Sequence, residues 1–286
     1  MSFPVKRTPP FSELFVHEDS AYIKPYSGYK YGILIRRYPE DYAQDTLADK
    51  FFNEARMWAT GARGVSPMSL HLKFVEEGKY QNMDPEEYIE MIYHKTTIVN
   101  PFNSRIAIEI MKKLKIPKES VVLDPCAGWG DRAAACGKYG IQKYIGCDPN
   151  ERLAPIYPKL FEAMGVDYEF HNIPFEEYGG TTCDVVLTSP PFLGKDGIMV
   201  EKYEGEKNAS KFEGSDFVNI FYKPMVSKVL KCLKPGGYFL LYVNEDTWKA
   251  TPQEGFEYLG KFGFFQDIGK GFNKYKIRDM FILQKK

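Results

Sequence analysis

A glycine-rich turn is the part of the sequence whose residue types and spacing most clearly suggest ligand binding. It reads Asp-Pro-Cys-Ala-Gly-Trp-Gly over residues 124–130, follows the β-rich run Val121–Asp124 and leads into a helical pattern at 130–139. Glycine accepts positive φ and lets a ligand approach the backbone closely. The residues expected at that ligand are Asp124, Cys126, Ala127, Gly128 and Gly130.

A second carboxylate, Asp148, ends the next β-rich run, Tyr144–Asp148, 18 residues after Gly130. A carboxylate at this position can accept both hydroxyls of a ribose. The turn has the form D-x-x-x-G-x-G rather than G-x-G-x-x-G, so a pyrophosphate cradle is not indicated. Asp124 suits an ammonium group better than a phosphate. An ammonium and a ribose on one ligand indicate S-adenosylmethionine, and the alternative is an ordinary strand–helix turn that binds something else.

A second group of chemically suggestive residues follows the run Cys183–Thr188, where the sequence continues as Ser189, Pro190, Pro191 and Phe192. Proline fixes the backbone and lacks an N–H donor. The Ser189 hydroxyl and nearby carbonyls are therefore predicted to form an acceptor-rich edge beside an aromatic ring. Such an edge suits a planar substrate that carries an NH₂ group, and the alternative is a proline-rich turn that only ends a strand.

The elements that must position these residues alternate between short β-rich runs and helical patterns from residue 120 onward. Further β-rich runs are expected at Tyr168–Asn172 and Gly237–Val243, and helices at 150–164 and 216–233. Two more β-rich segments, near 263–269 and 275–284, indicate a terminal hairpin. This alternation predicts an α/β fold with a Rossmann-like, doubly wound, mostly parallel seven-stranded sheet.

Residues 1–99 have a different pattern and are predicted to form a smaller N-terminal α+β appendage to a main domain at 100–286. A strand is expected at Tyr31–Arg37, and helices at about 40–59 and 84–95. The loops between the helices are expected to carry Ser66-Pro67. This appendage would recognise the substrate, act as a cap or mediate dimerisation. The long segment Leu193–Phe217 is predicted to be an irregular lid, with a passive loop as the alternative.

Composition excludes several classes of protein. The chain has 286 residues, of which 44% are hydrophobic and 27% charged, with a formal net charge of zero. Disordered scaffolds are excluded, and any nucleic-acid site must be a local patch. No apolar run approaches the length of a membrane span. The five cysteines form no C-x-x-C and have no nearby paired histidine, so we expect no metal and a reducing, cytoplasmic location (the nucleoid or nucleus for a DNA substrate).

The glycine turn, Asp148 and the Ser-Pro-Pro-Phe sequence together resemble the class I S-adenosylmethionine-dependent methyltransferases across residues 100–286. The resemblance implies that Asp124 helps to hold the methionine ammonium, that Ala127, Gly128 and Gly130 pack against the cofactor, and that Asp148 binds the ribose. Asn172 is the candidate contact for the adenine. A cytosine C5 mechanism needs a cysteine after proline in the loop that follows the fourth strand, and no cysteine is there. Cys126 lies in the glycine turn instead and is expected to be a small residue packed against the cofactor.

The sequence Ser-Pro-Pro-Phe matches the [Asp/Asn/Ser]-Pro-Pro-[Tyr/Phe/Trp] motif of amino-methyltransferases, and is most similar to that of the DNA N4-cytosine enzymes. In DNA amino-methyltransferases the segment that matches Asn100–Arg105 closes over the methionine moiety, so Phe102 is a candidate contact. The alternative is a capped helix with Ser104 near its N-terminus.

The resemblance implies methylation of an exocyclic amino nitrogen in nucleic acid. DNA is favoured over RNA, with cytosine N4 or adenine N6 as the acceptor atom. The alternatives are an RNA base, a protein amide, and a non-catalytic nucleic-acid-binding subunit that keeps the fold. No membrane partner is expected, and the sequence carries no signal of oligomeric state.

Overall fold

A seven-stranded sheet organises the part of the chain that the structure describes. This structure is a computed structural model that describes residues 47–60, 64–96, 99, 102–194, 197–199, 209–267 and 275–286. The strand order is β3-β2-β1-β4-β5-β7-β6, and only β7 runs against its neighbours. The predicted Rossmann-like α/β fold and its C-terminal hairpin are confirmed. The strands are β1 (Val121–Asp124), β2 (Lys143–Cys147), β3 (Glu169–His171), β4 (Cys183–Thr188), β5 (Leu233–Tyr242), β6 (Phe256–Asp267) and β7 (Tyr275–Lys285).

Both faces of the sheet are buried, which explains why the central strands are almost continuously apolar. Neighbouring residues of one strand point to opposite faces, so Val122 packs in one core cluster and Leu123 in the other. Val185 and Val186 of β4 divide in the same way. The described helices are α1 (Leu47–Arg56), α2 (Pro67–Glu76), α3 (Pro85–Lys95), α4 (Ser104–Leu114), α5 (Asp131–Tyr139), α6 (Tyr157–Met164), α7 (Gly214–Asp216), α8 (Lys223–Cys232) and α9 (Glu245–Lys249).

Two predicted helices have different limits in the structure. The helix expected at 150–164 begins only at Tyr157, after a short 3₁₀ turn at Glu151–Leu153. Pro155 and Pro158 lack the N–H groups that would continue a helix from residue 150. The helix expected at 216–233 extends from α7 through a π turn, Phe217–Tyr222, into α8.

The segment Leu193–Phe217 is more regular at its ends than predicted. Leu193 forms an antiparallel bridge with Met199, and Gly194 N–H donates to the Ile198 carbonyl over 2.8 Å. The expectation of a loop as far as Phe217 is wrong, because helix starts at Gly214 and Phe217 is fully buried. Residues 195–196 and 200–208 lie outside the described residues, so the lid stays a prediction.

The N-terminal region contributes three described helices. The expected strand Tyr31–Arg37 lies outside the described residues, whereas α1 and α3 fall within the two predicted helical patterns. The expectation of a loop at Ser66-Pro67 is wrong, because these residues begin α2. Ser66 Oγ accepts the Ser69 N–H over 3.1 Å, and proline at the first helical position needs no N–H partner.

The first helix shares a core with the main sheet. Phe52 of α1 is fully buried in the cluster that contains Val122 and Leu240. Its ring meets Tyr157 edge-to-face at 5.0 Å between centroids. The predicted division at residue 100 stays a prediction, and α1 packs as part of the main core.

Gly130 allows α1 to approach the glycine-rich turn. Its φ is +78°, and a Cβ there would lie 2.6 Å from Phe52 Cε2 and 2.9 Å from Leu160 Cδ2. Left-handed backbone costs a non-glycine residue about 1–2 kcal/mol. We predict that Gly130→Ala lowers the free energy of unfolding by this amount plus about 1–3 kcal/mol of overpacking, measured by denaturant titration.

Gly165→Ala is the matched control. Gly165 has φ +65°, but a Cβ added there would have no neighbouring atom within 4 Å, so only the backbone cost applies. Equal destabilisation of the two variants would show that α1 does not pack tightly on the turn.

Candidate active site

Four segments with predicted ligand-binding or catalytic residues lie at the carboxyl ends of neighbouring strands. Strands β3, β2, β1 and β4 are adjacent and parallel, so their carboxyl ends lie side by side. Residues 125–130, here called the glycine loop, follow β1. Asp148 follows β2, Asn172 follows β3, and residues 189–192, here called the corner, follow β4. Ligands of open α/β sheets bind outside the carboxyl ends of the strands.

Asp124 is fully buried at the end of β1 and forms an ion pair with Arg132 of α5. Arg132 Nε donates to Asp124 Oδ2 over 2.7 Å, and the Tyr144 hydroxyl donates to the same oxygen over 3.0 Å. The Cys126 N–H donates to Asp124 Oδ1 over 3.3 Å. Both carboxylate oxygens therefore have protein partners, and a role for Asp124 in holding an ammonium group stays a prediction.

Arg132 extends the effect of this ion pair to the surrounding loop. Burial alone would lower its pKa, but the adjacent Asp124 carboxylate raises the pKa overall, so the guanidinium stays charged. Its Nη2 also donates to the Cys126 carbonyl, and its guanidinium carbon lies 5.2 Å from the centroid of the Phe102 ring. One cation thus contacts the end of β1, the glycine loop and Phe102. Arg132, the second residue of the helix after the loop, was not among the residues predicted from the sequence.

Asp148 binds the glycine loop through its side chain. Its Oδ2 accepts the Gly128 N–H over 2.9 Å, and its Oδ1 accepts the Asn150 N–H over 3.0 Å. Burial raises the pKa of Asp148 from 3.8 to about 6, although these two backbone donors act in the opposite direction. Asp148 as a whole residue is half-buried.

Asn172 fixes the loop that contains Asp148. Its Nδ2 donates to the carbonyls of Asp148 and Asn150, each over 2.9 Å. The Asp148 N–H donates to the His171 carbonyl over 3.1 Å. Asn172 therefore supports the loop after β2 from the neighbouring strand, and its predicted contact with adenine stays a prediction.

The glycine loop has a buried side and a half-exposed side. Ala127 and Gly130 are buried, whereas Cys126 and Gly128 are half-exposed. The Gly130 surface packs on Phe52 and Leu160, so protein rather than a ligand occupies that side. Burial, together with Asp148 and Asp124, raises the pKa of the Cys126 thiol well above its usual value. A neutral thiol is a poor nucleophile, and the packing of Cys126 against the cofactor stays a prediction.

The corner is joined directly to the glycine loop. Thr188, the fully buried last residue of β4, accepts the Cys126 N–H at Oγ1 over 3.2 Å. Ser189 and Phe192 are half-exposed. The Phe192 ring meets Tyr242 at 5.6 Å between centroids, and Tyr242 meets Phe102 at 5.3 Å, both edge-to-face. The structure therefore brings together two motifs that lie far apart in the sequence.

The chain after the corner is also held by side chains that the sequence analysis missed. The Leu193 N–H donates to Thr247 Oγ1 over 2.9 Å, and Asn244 Nδ2 donates to the Leu193 carbonyl over 2.6 Å. Asn244 is the N-cap of α9, which was not predicted. The signal that marks this helix start is Asn244 at the N-cap followed by two acidic residues, Glu245 and Asp246, in the first turn.

The described residues contain no group of three or more His, Cys, Asp or Glu side chains arranged to hold a metal ion. They also contain no helix with the length and apolar character needed to span a membrane.

Comparisons with known proteins return structures but no sequence families. No protein-family model matches the chain, and no curated protein matches it. Among solved structures, an S-adenosylmethionine-dependent O-methyltransferase from Thermotoga maritima is 14% identical with a TM-score of 0.42, covering 68% of this chain and 69% of its own. A methyltransferase from Pyrococcus furiosus is 17% identical (TM-score 0.42; 63% and 82% covered), and an rRNA methylase from Streptococcus thermophilus is 14% identical (TM-score 0.38; 64% and 93% covered).

We predict that Asp124→Asn destabilises the protein, because it leaves the buried Arg132 guanidinium without its counter-charge. Removing one partner of a buried ion pair costs about 3–5 kcal/mol. The free energy of unfolding, measured in denaturant, should fall by this amount in the absence of any ligand. Asp148→Asn is the control, since the Asp148 carboxylate has backbone N–H donors and no ion-pair partner among the described residues. An Asp124→Asn protein with unchanged stability would contradict a structural role for the pair.

Proposed function

We propose that this protein transfers a methyl group from S-adenosylmethionine to an exocyclic amino nitrogen of a base in nucleic acid. The observation that carries the proposal is the junction of the corner with the glycine loop, where Cys126 N–H and Thr188 Oγ1 are 3.2 Å apart. A methyl donor held over the loop would lie beside an acceptor-rich turn with an adjacent aromatic ring. The similarity of the corner to that of N4-cytosine enzymes favours DNA, with cytosine N4 or adenine N6 as acceptor.

The half-exposed residues of the loop edge fit this cofactor. A Cβ at Gly128 would meet nothing closer than 3.8 Å, so no neighbouring atom crowds this half-exposed position. The Asp148 carboxylate accepts hydrogen bonds from two backbone N–H groups. Burial opposes its ionisation, and two ribose hydroxyls would favour the ionised form by donating two further hydrogen bonds. Cys126, Ala127, Phe102 and Asn172 would line the same site, with Asp124 acting on the ammonium through the loop that it fixes.

When bound, the cofactor supplies an electrophilic methyl group on a sulfonium. The Ser189 hydroxyl and the Pro190 carbonyl would accept the two N–H groups of the substrate amine and point its lone pair at that methyl. As nitrogen attacks, its protons become more acidic, so these acceptors bind the transition state more strongly than the ground state. The amine then loses one proton to solvent. Pro190 and Pro191 keep competing N–H donors away from this edge.

Phe192 would hold the plane of the base. A base in a duplex must be flipped out at a cost of a few kcal/mol. Stacking on an aromatic ring returns about 1–3 kcal/mol. The Phe192 ring is half-exposed and packs edge-to-face with Tyr242, at 5.6 Å between centroids.

The alternatives differ in the methyl acceptor or in the absence of catalysis. An RNA base fits the same corner as a DNA base. A protein amide is less favoured, since Asn-Pro-Pro-Tyr would be the expected motif. A non-catalytic nucleic-acid-binding subunit would be expected to lose the glycine loop or the corner, and this chain has both.

The test is transfer of a labelled methyl group. Purified protein and labelled S-adenosylmethionine are incubated with DNA in one reaction and with RNA in another, each of mixed sequence. The nucleic acid is then digested, and the labelled nucleosides are identified by mass spectrometry. We expect N4-methylcytosine or N6-methyladenine from DNA. Label in RNA alone would change the substrate class, and no label together with no calorimetric cofactor binding would contradict the proposal.

We predict that cofactor affinity falls as the pH is lowered through about 6. Only the ionised Asp148 accepts both ribose hydroxyls, and burial raises the pKa of Asp148 to about 6. Below this pH the affinity should weaken by up to about tenfold per pH unit, and above pH 7 it should be constant. Calorimetric titrations from pH 5 to 8 measure this.

Asp148→Asn serves as the control and should bind more weakly with no pH dependence in this range. In the free protein, the pH dependence of folding stability that is due to Asp148 has the opposite sign to the pH dependence of cofactor affinity. The folded pKa lies above the unfolded value of 3.8, so the contribution of Asp148 to stability is lost as the pH rises from about 4 to 6. An affinity that is flat between pH 5 and 8 would remove Asp148 from the ribose site.

We predict different kinetic effects for Ser189→Ala and Phe192→Ala. Loss of the Ser189 hydroxyl should lower kcat and kcat/KM together, because its contribution grows in the transition state. Loss of the Phe192 ring should weaken nucleic-acid binding by about 1–3 kcal/mol and raise KM. Both variants should bind S-adenosylmethionine like the wild type in calorimetry.

Steady-state kinetics on the nucleic acid identified in the labelling experiment distinguish the two roles. If a stable Phe192→Ala protein methylates that substrate with wild-type kinetics, base stacking on Phe192 is wrong. The corner would then be only a structural turn.

A further inference from the structure

A closed ring of hydrogen bonds holds the residue that follows the corner. The Leu193 N–H donates to Thr247 Oγ1 over 2.9 Å, and the Thr247 hydroxyl donates to Asn244 Oδ1 over 2.6 Å. Asn244 Nδ2 closes the ring by donating to the Leu193 carbonyl over 2.6 Å. Two side chains at the carboxyl end of β5 therefore fix both polar groups of Leu193.

The ring is attached to a buried polar network. Thr247 is fully buried, and its carbonyl accepts the Thr251 hydroxyl over 3.2 Å. Thr251 Oγ1 lies 2.8 Å from the hydroxyl of Tyr222, which is also fully buried. A buried network whose members are satisfied holds its groups rigidly, since each broken bond would leave an unpaired polar atom.

The amide of Asn244 does more than cap a helix. Its Oδ1 accepts the Thr247 N–H over 3.0 Å, which is the N-cap bond of α9. That bond needs only an acceptor, and aspartate serves as well at N-caps. The Nδ2 donor is not needed by the helix, and its described partner is the Leu193 carbonyl. The amide nitrogen therefore serves the chain at the corner.

The corner is short and is anchored at both ends. Thr188 holds its start through the Cys126 N–H, and Leu193 holds its end. Only four residues lie between these anchors, and proline fixes φ at two of them. The positions of Ser189 and Phe192 therefore depend on the positions of the two anchors.

We propose that Asn244 and Thr247 are positioning residues for methyl transfer, which act through Leu193 to hold the corner in line with the methyl donor. The inference rests on the proposed function. Neither side chain touches the substrate, so their contribution appears in the rate of the chemical step rather than in cofactor binding.

The first test is Asn244→Asp, which keeps the cap acceptor but places a carboxylate oxygen against the Leu193 carbonyl. A misplacement of about 1 Å can cost about 100-fold in rate, so we expect kcat to fall by about 10- to 100-fold. The KM for nucleic acid and the calorimetric Kd for S-adenosylmethionine should each stay within about twofold of the wild-type value. The substitution removes no contact that binds ground state and transition state equally. Asn219→Asp is the matched control, because it makes the same charge change at an exposed side chain of the π turn and should leave kcat unchanged.

The second test compares Thr247→Val with Thr247→Ser. Valine keeps the shape but removes the hydroxyl that links Leu193 to Asn244, whereas serine keeps it. Activity should be lost in Thr247→Val and restored in Thr247→Ser. Hydrogen–deuterium exchange gives a readout without turnover: the peptide that contains residues 189–194 should exchange faster in Asn244→Asp and Thr247→Val, with the peptide that contains residues 121–139 unchanged.

The outcomes separate this inference from the proposed function. If the wild type methylates nucleic acid and Asn244→Asp and Thr247→Val keep its kcat, the inference is wrong and the proposed function stands. A rise in cofactor Kd that matches the loss of kcat would also overturn it, since the change would then be general. If the wild type methylates no nucleic acid, the proposed function fails, and exchange at residues 189–194 alone decides whether the two residues hold the corner.

Discussion

The buried pair of Asp124 and Arg132 is the interaction on which the candidate site depends. A charge in the core is tolerated only when it is paired, so Arg132 is held at the Asp124 carboxylate, 2.7 Å away. From that position it also binds the Cys126 carbonyl and packs against Phe102. Moving the glycine loop would break the bond between Arg132 and the Cys126 carbonyl. Replacing such a pair by apolar residues is often neutral for stability, so the pair matters here for the contacts that Arg132 makes rather than for added stability.

This constraint divides the predicted ligand residues into two groups. Asp124 and Gly130 are buried and contact protein, so they fix the loop and the helix that packs on it. Gly128 and Asp148 are half-exposed and contact each other through one hydrogen bond of 2.9 Å. In the proposed function only the second group touches the ribose side of the cofactor. If the proposed function is right, one sequence motif contains both residues that fix the loop and residues that bind the cofactor, and spacing alone does not distinguish them.

The sequence predicted the parts of the fold that depend on local patterns. β1 and β4 were placed at their observed limits, because buried parallel strands are short apolar runs bounded by turn residues. The start of α2 was missed although Ser66 and Pro67 are both helix-start signals, because serine and proline were interpreted as loop residues. The contacts that assemble the site were beyond reach. Thr188 and Cys126 are 62 residues apart, and Asn244 and Leu193 are 51 residues apart. No periodicity links such pairs.

The anchored corner also affects which chemical group of the substrate the proposed enzyme would methylate. Both polar groups of Leu193 are already bonded, and the two prolines have no N–H. In the proposed function, the corner would therefore offer the substrate mainly hydrogen-bond acceptors, namely the Ser189 oxygen and the Pro190 carbonyl. An NH₂ group brings two N–H donors and can satisfy both acceptors at once, whereas a hydroxyl brings one. A carbonyl would face these oxygens with no proton to share. If the anchors hold the corner in place, it cannot move to suit a hydroxyl or a carbonyl. A substrate with either group would therefore lose transition-state stabilisation. Fixed acceptor geometry would thus select the amino group itself, while the aromatic surface at Phe192 would select only for a flat ring.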